Sequence, residues 1–310
     1  MYGVGQILGR ENSGRRLTRL RPAALALAIL LLMALPRPAP AEDNHHVFWA
    51  VKGQHNTVYF LGSVHMLKAA DRELPPEIMR AYAQSKTLVM ELNLSDVNAD
   101  ALLGAGLESA TLPAGQSLAE VIGPDLYRVL LAHAEPLGLD PDMLAHFRPW
   151  FAALLLEQLS LAQAGFDAST GVDLQLTKRA EQDHKPIVAL ETVAEQLGIF
   201  ASLSREQQRE YLRSTLHELD TASTDTANLV QAWQHGDTAA LARLLRAASA
   251  DSPTLFRMLT TDRNRKWLPT ITALLSDDHD DLVIVGALHL VGNDGLIELL
   301  KRAGYSAVQH

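Results

Sequence analysis

The chain has 310 residues, 47% of them apolar, which is enough for one large folded domain or two ordinary ones and excludes a disordered protein. Acidic residues outnumber basic ones by 36 to 27, a balance that disfavours partners held by basic patches, such as nucleic acids and anionic lipids. Cysteine is absent, which excludes a disulfide framework, a lipidated cysteine and a thiol nucleophile.

The first forty residues have the pattern of a secretory signal peptide. Arginines up to Arg21 precede an apolar run from Ala23 to Leu35, and small residues follow as far as Ala41. This run is shorter than the roughly 20 residues that a membrane-spanning helix needs. We therefore predict cleavage after Ala41 and export to the periplasm or another extracytoplasmic space, with membrane contact only if the segment is retained. Without residues 1–41 the net charge is about −14, from 21 basic and 35 acidic residues.

The next segment predicts a β-hairpin. Two apolar stretches, Val47–Val51 and Thr57–Leu61, flank a polar turn that contains Gly53 and Asn56. The second stretch runs directly into Gly62-Ser-Val-His65.

A strand, a helix and a strand are then predicted in succession. After the hairpin, the prolines at 75 and 76 favour the start of a helix that reaches about Ser85. Thr87–Leu92 is rich in β-forming residues and includes Glu91 near its end. A strand that returns through a helix to a second strand predicts two parallel strands, adjacent or nearly so.

Helical periodicity dominates two long stretches, about 95–185 and 193–276, which we interpret as helical insertions into one domain of residues 42–310. A short strand, Pro186–Leu190, separates them and ends at Glu191. The predicted helices in these stretches are Leu118–Ala132, Pro149–Gln163, Val172–Asp183, Glu206–Leu219, Thr224–His235, Thr238–Ala248 and Pro253–Leu275.

The β pattern returns after the second helical stretch. Asp281–Val285 is predicted as a strand, followed by Gly286-Ala-Leu-His289, a helix from Asp294 to Ala303 and a terminal strand, Tyr305–Val308. The predicted fold class is α/β with mixed α+β character: a central, mostly parallel sheet with two strand-GxxH units, flanking helices and a helical insertion.

The two strand-GxxH units repeat one pattern. Val58–His65 and Leu282–His289 both read as four apolar residues, glycine, a small residue, an apolar residue and histidine. We interpret each glycine as a position where the backbone turns sharply and approaches a ligand.

Titratable residues lie at the end of four predicted strands: His65, Glu91, Glu191 and His289. Ligands of α/β proteins bind beyond the carboxyl ends of parallel strands, so these side chains are expected to face one crevice. Two imidazoles and a carboxylate suit a borderline divalent ion such as Zn, Mn or Co with one position left for water. His65, His289 and Glu91 are the predicted metal ligands, and Glu91 is alternatively the general base.

Four further residues have two open interpretations each. Glu191 is either a substrate-binding residue or a helix cap, and Asp173 is either substrate-binding or an ordinary residue of a first helical turn. Arg263 and Asn264 lie in a helical pattern that is typical of a solvated face. If they are buried, they are candidates for catalysis that bind a substrate carboxylate or stabilise an oxyanion.

Several short motifs in a fixed order support these choices. They are Leu61-Gly-Ser-Val-His65, Met90-Glu91-Leu92, Gly171-Val-Asp173, Leu190-Glu191-Thr192 with Glu195-Gln196, Arg263-Asn264 with Trp267, Gly286-Ala-Leu-His289-Leu with Gly292, and Gly304-Tyr305. By these motifs the chain resembles the TraB/GumN family, which is related to the Tiki metalloproteases and more distantly to erythromycin esterase-like enzymes. The resemblance spans about residues 47–308 and implies an active site of both GxxH histidines and Glu91, with divalent-metal-dependent peptide hydrolysis.

The sequence thus predicts an exported metal-dependent hydrolase that acts on peptide bonds or another small extracytoplasmic substrate. His65, Glu91, His289, Arg263 and Asn264 are its candidate residues for catalysis. One alternative is a metal-free hydrolase in which Glu91 acts as general base. The other is a non-catalytic periplasmic protein that binds a peptide or a glycan in the same crevice.

Overall fold

A computed structural model describes residues 46–93, 95, 108–251 and 253–310. The predicted signal peptide lies outside the described residues. The described residues belong to one compact unit. Within the described ranges, every helix is too short or too polar to cross a bilayer.

In the described part of the chain, six strands form one mixed sheet. They are β1 (Phe48–Lys52), β2 (Thr57–Ser63), β3 (Thr87–Met90), β4 (Ile187–Ala189), β5 (Asp281–Gly286) and β6 (Ala307–Gln309). Their order across the sheet is β4-β3-β5-β2-β1-β6. The strands from β4 to β2 in this order are parallel, whereas β1 is antiparallel to both of its neighbours. The predicted α/β fold class with a mostly parallel sheet is confirmed.

The hairpin prediction is also confirmed, because β1 and β2 pair from Phe48–Leu61 to Lys52–Thr57. β2 and β3 both pair with β5 rather than with each other. The predicted parallel relation of β2 and β3 is therefore correct, and a strand from the far end of the chain lies between them.

Thirteen named helices surround the sheet in the described residues. They are α1 (Pro76–Gln84), α2 (Leu118–Ile122), α3 (Pro124–Ala134), α4 (Pro141–Leu144), α5 (Pro149–Gln163), α6 (Val172–Asp183), α7 (Val193–Ala201), α8 (Arg205–Gln234), α9 (Thr238–Asp251), α10 (Pro253–Leu259), α11 (Thr261–Leu274), α12 (Ala287–Leu290) and α13 (Leu296–Arg302).

Three predicted helix boundaries were wrong, each for a local reason. Gly123 adopts a φ of 85° ahead of Pro124 and divides the helix that we predicted from Leu118 to Ala132. Thr260 leaves the helical conformation and separates α10 from α11. Conversely, α8 is one helix of 30 residues where two were predicted, because the junction contains no glycine or proline to stop it.

The largest hydrophobic cluster surrounds the sheet. β5 is buried from Asp281 to Val285, as expected of a central parallel strand covered on both faces. A second cluster joins α2, α3, α4 and α5 to the first half of α8. The end of α8 reaches the sheet cluster, where Nε1 of Trp233 donates a hydrogen bond of 2.6 Å to the carbonyl of Gly62 in β2. The long helix thus links the inserted helices to the strand that leads to His65.

Candidate active site

The four predicted strand-end residues meet at one edge of the sheet. β2, β3, β4 and β5 are parallel, so their carboxyl ends lie together. The pairing of β3 with β4 continues one step beyond the strands, where the N–H of Glu191 donates to the carbonyl of Glu91 (3.1 Å). His65 follows β2, and His289 lies in the short helix α12 directly after β5.

Gly286, the last residue of β5, is the point around which three of these side chains gather. A methyl group added there would lie 3.4 Å from Oε1 of Glu91, 3.5 Å from Cδ2 of His289 and 3.7 Å from Nε2 of His65. The backbone N–H of Gly286 donates to Oε1 of Glu91 (2.7 Å). Residues more than 220 positions apart in sequence therefore share one small space.

Arg263 joins the two glutamates. Its guanidinium donates to both oxygens of Glu191, with Nη2 to Oε1 at 2.6 Å and Nε to Oε2 at 3.2 Å. The same Nη2 donates to Oε2 of Glu91. All three side chains are buried, so the solvated-face interpretation of Arg263 is wrong. Such a buried, bidentate arrangement fixes the orientation of the guanidinium.

His289 is held through both ring nitrogens. Nδ1 lies 2.7 Å from Oδ1 of Asn264, whose Nδ2 donates to the carbonyls of His289 and Asp294. An amide oxygen only accepts, so Nδ1 carries the proton. Nε2 then accepts a hydrogen bond of 3.0 Å from Nη1 of Arg263. Asn264 is therefore also buried, and it sets the tautomer of His289.

His65 is oriented by Asp173, in the first turn of α6. Its Nδ1 lies 2.8 Å from Oδ2 of Asp173, which leaves Nε2 facing the space at Gly286. α6 begins close to this loop: the N–H of Val172 donates to the carbonyl of Val64, and a side chain at Gly171 would collide with the carbonyl of His65. Unlike the other members of the site, the His65 side chain is 68% exposed.

Charge neighbours shift the pKa values of this cluster in opposite directions. Burial alone would raise the pKa of Glu91, but the cationic forms of His289, Arg263 and His65 and the Gly286 N–H outweigh burial and lower it to about 2. Burial lowers the pKa of His289 to about 4, so its ring is neutral near pH 7. The Asp173 carboxylate raises the pKa of His65 to about 9.

The residue types fit a divalent metal ion, with one rearrangement. In both histidines Nδ1–H donates to an acceptor oxygen, as is usual for imidazoles that bind a metal ion. Nε2 is then the nitrogen available as a ligand. Oε1 of Glu91 faces the same space. However, Arg263 donates to Nε2 of His289, and an ion must replace it there. Among the described residues, the three-residue group with ligand atoms all within 4.8 Å of one another lies elsewhere, at Asp277, His279 and Asp281.

Two contacts of the site were not assigned from sequence. Nε2 of Gln196, one turn into α7, lies 3.4 Å from Oε2 of Glu91. The centroid of the Trp267 ring lies 4.8 Å from the centroid of the His289 ring. The same Trp267 centroid lies 4.6 Å from Cζ of Arg263. Trp267 is four residues after Arg263 on the same helix, a spacing that places both on one face. Once Arg263 is known to be buried, this spacing identifies Trp267 as well.

The interpretation of the two glycines needs correction. Neither Gly62 nor Gly286 has a positive φ, and Gly62 lies inside β2 rather than in a turn. A side chain at Gly62 would lie 2.5 Å from Cγ1 of Val47 and 2.9 Å from Cα of Ala287. Gly62 is thus required for close packing of α12 on β2, and Gly286 leaves room beside the three side chains of the site. The helix-cap interpretation of Glu191 is also wrong, because Thr192 caps α7.

Comparison with known proteins identifies the family. The sequence profile of the TraB/PrgY/gumN family matches residues 47–309. The chain belongs to this family. Its TraB/PrgY/gumN relatives include the Escherichia coli protein YbaP, which is 25% identical over 78% of this chain and 87% of YbaP. No solved structure matches the chain significantly.

Several animal relatives are named as enzymes. The zebrafish (Danio rerio) protein Metalloprotease TIKI1 is 25% identical over 84% of this chain and 62% of its own length. The human Metalloprotease TIKI1 is 24% identical over 84% of this chain and 61% of its length. The match therefore covers about three fifths of each of these metalloproteases. The resemblance to the TraB/GumN and Tiki proteins predicted from short motifs is confirmed.

Proposed function

We propose that this chain is a metal-dependent hydrolase that acts on peptide bonds at the carboxyl edge of its sheet. The observation that carries the proposal is the convergence of His65 Nε2, Glu91 Oε1 and the His289 ring on one space at Gly286. The Tiki relatives named as metalloproteases support the same reaction class.

The charge of the buried site also favours a cation. Glu91 and Glu191 contribute two carboxylates, Arg263 contributes one positive charge, and His289 is neutral near pH 7. His65, whose pKa is raised to about 9, pairs with the Asp173 carboxylate, so the cluster as a whole keeps one negative charge. Carboxylates buried without full compensation attract a metal ion.

In this proposal His65, His289 and Glu91 would hold the ion, which would supply Lewis-acid chemistry for the activation of water and of a substrate carbonyl. Asp173 accepts a hydrogen bond from Nδ1–H of His65, and Asn264 accepts one from Nδ1–H of His289. These bonds orient the two rings. Arg263, released from His289, donates hydrogen bonds to negative charge on the substrate. Glu191 positions Arg263 through its two hydrogen bonds.

Metal content tests the proposal directly. Protein purified without chelator should contain at least one equivalent of a transition metal, and chelation should abolish peptidase activity, which Mn, Co or Zn restores. The His65→Ala variant should lose about one equivalent of metal and the activity, whereas His133→Ala, in α3 and outside the site, should lose neither. Less than about a tenth of an equivalent of metal, with no gain on adding these ions, would overturn it.

The contact between Arg263 and His289 favours a second candidate, a metal-free hydrolase. With Nε2 of His289 bound to Arg263, Oε1 of Glu91 is the carboxylate oxygen that faces the space at Gly286 and could accept a proton from water. Activity that survives chelation and is lost in Glu91→Gln would select this candidate. A non-catalytic binder remains the outcome if no product forms and His65→Ala keeps its affinity for a peptide or glycan.

We also propose an extracytoplasmic location, from the arginine-rich and apolar residues before Ala41. The N-terminal sequence of the mature protein tests this proposal. Cleavage after Ala41 in a periplasmic fraction would support it, and an intact N-terminus in the cytoplasm would contradict it.

A further inference from the structure

A second group of candidate metal ligands lies at the amino end of β5. It comprises Asp277, His279 and Asp281, each with one possible ligand atom within 4.8 Å of those of the other two. Nε2 of His279 is 3.4 Å from Oδ1 of Asp281. A strand rises by about 3.3 Å per residue, so Asp281 is roughly 17 Å from Gly286 at the other end of β5. The group is separate from the candidate active site.

Asp281 is buried, and His279 is its ion-pair partner at 3.4 Å. Its side chain is 0% exposed, and neither carboxylate oxygen makes a hydrogen bond. Burial raises the pKa of this carboxyl, protonated His279 opposes the rise and Asp277 adds to it. Thr87, opposite Asp281 in the sheet, also opposes the rise. Such a carboxylate is unfavourable unless a cation or donors reach it.

The loop that carries the group is fixed by its surroundings. Nδ2 of Asn56 donates to the carbonyls of Leu274 and His279, both at 2.8 Å. Oδ1 of Asp280 accepts a hydrogen bond from the N–H of Thr57 (2.7 Å). The backbone carbonyl of Asp280 accepts one from the N–H of Lys86. The β1–β2 turn and the start of β3 therefore hold the loop, and little ordering is needed for its side chains to bind an ion.

We propose that Asp277, His279 and Asp281 form a structural site for a divalent transition-metal cation, with Zn²⁺ or Mn²⁺ as the best fit. Two carboxylates and an imidazole are suitable ligands for these ions, whereas Ca²⁺ and Mg²⁺ prefer oxygen alone. The ion neutralises the buried carboxylate of Asp281 and connects the loop after α11 to the central strand. Its contribution is to stability, not to the reaction at Gly286.

Thermal unfolding of the His65→Ala protein tests this site while weakening any ion at the candidate active site. After chelator treatment, ZnCl2 or MnCl2 at about 100 times Kd should raise Tm by about 5 °C. His279→Gln should abolish this rise and the bound equivalent of metal. Asp278→Asn alters an exposed carboxylate of the same loop outside the group and should keep both.

A second variant tests the role of the buried carboxylate of Asp281. Asp281→Asn removes the buried charge, so the metal-free protein should be at least as stable as its parent and should not respond to either ion. Absence of any response in the His65→Ala parent, or equal responses of His279→Gln and Asp278→Asn, would overturn the proposal.

Discussion

Arg263 is the cation that pairs with two buried glutamates, Glu91 and Glu191. The Arg263→Met variant leaves Glu91 and Glu191 buried without their shared partner. Removing one member of a buried ion pair typically costs about 3–5 kcal/mol, because the remaining charge is uncompensated. We expect a fall of this size in the free energy of unfolding, measured by urea denaturation.

Arg265, two residues later on α11, is the matched control. Its side chain is 60% exposed and pairs with Asp294 at 3.3 Å. An exposed ion pair is worth at most about 1 kcal/mol, so Arg265→Met should lower stability by no more than that. Equal losses of unfolding free energy in the two variants would show that the buried ion pairs of Arg263 stabilise the fold no more than an exposed pair does.

Gly286→Ala separates the chemistry of the site from its stability. The added methyl group would make ordinary van der Waals contacts with Glu91, His289 and His65, and φ of Gly286 is −49°. The fold should therefore tolerate it. The methyl occupies the space where the three side chains meet, so we expect hydrolytic activity to fall by about 100-fold with little change in Tm. Activity within a few-fold of the wild type would place the reaction elsewhere.

Gly62→Ala, in the equivalent position of the first GxxH unit, should instead lower the stability of the fold. Its methyl group meets Cα of Ala287, which is backbone and cannot rotate away. Overpacking of this kind typically costs about 1–3 kcal/mol. Gly198→Ala in α7 is the control for both, since nothing lies within 4 Å of the added group.

At the scale of elements, the packing of α5 on α8 contains a titratable residue, Glu157. Burial raises its pKa, and Glu218 on α8 adds to the rise. A raised pKa in the folded state stabilises the protein below the unfolded pKa, and this contribution is lost as pH rises through the folded pKa. Glu157→Gln should therefore raise Tm by a few degrees near pH 7 and change it little near pH 3, where both states are protonated.

Glu206 at the start of α8 is the control for this pH effect. Its side chain is 75% exposed, and its pairing with Arg209 is loose at 4.0 Å. Glu206→Gln should leave Tm unchanged at either pH. A gain for Glu157→Gln that is equally large at both pH values would contradict the electrostatic explanation.

At the scale of the whole molecule, the negative net charge disfavours binding to anionic membranes. The net charge is −9 for the full chain and about −14 without residues 1–41. We expect the protein without residues 1–41 not to sediment with vesicles of anionic phospholipid at about 0.15 M salt, where a basic patch would be needed. Neutral vesicles serve as the control. Sedimentation with anionic vesicles alone would reveal a basic patch that the overall charge conceals.

Local patterns were sufficient for much of the fold. The bounds of α5 and α6 were predicted to the residue, because prolines and polar residues mark where the apolar periodicity begins and ends. The strands were found within about two residues by their β-branched composition. The joining of two predicted helices into α8 was not found, because the junction is weakly apolar and interrupts the apolar periodicity, although it contains no glycine or proline.

The sequence by itself determined the strand ends and their chemistry: His65, Glu91, Glu191 and His289 follow apolar strands, and parallel strands bring such positions to one edge. Only the tertiary structure decided that Arg263 is buried between two glutamates and that Asp173 and Asn264 hold the histidines. These contacts join segments far apart in the chain. Hydrophobic periodicity specifies which residues face inward but not which distant charge each will meet, because pairing depends on how the elements pack.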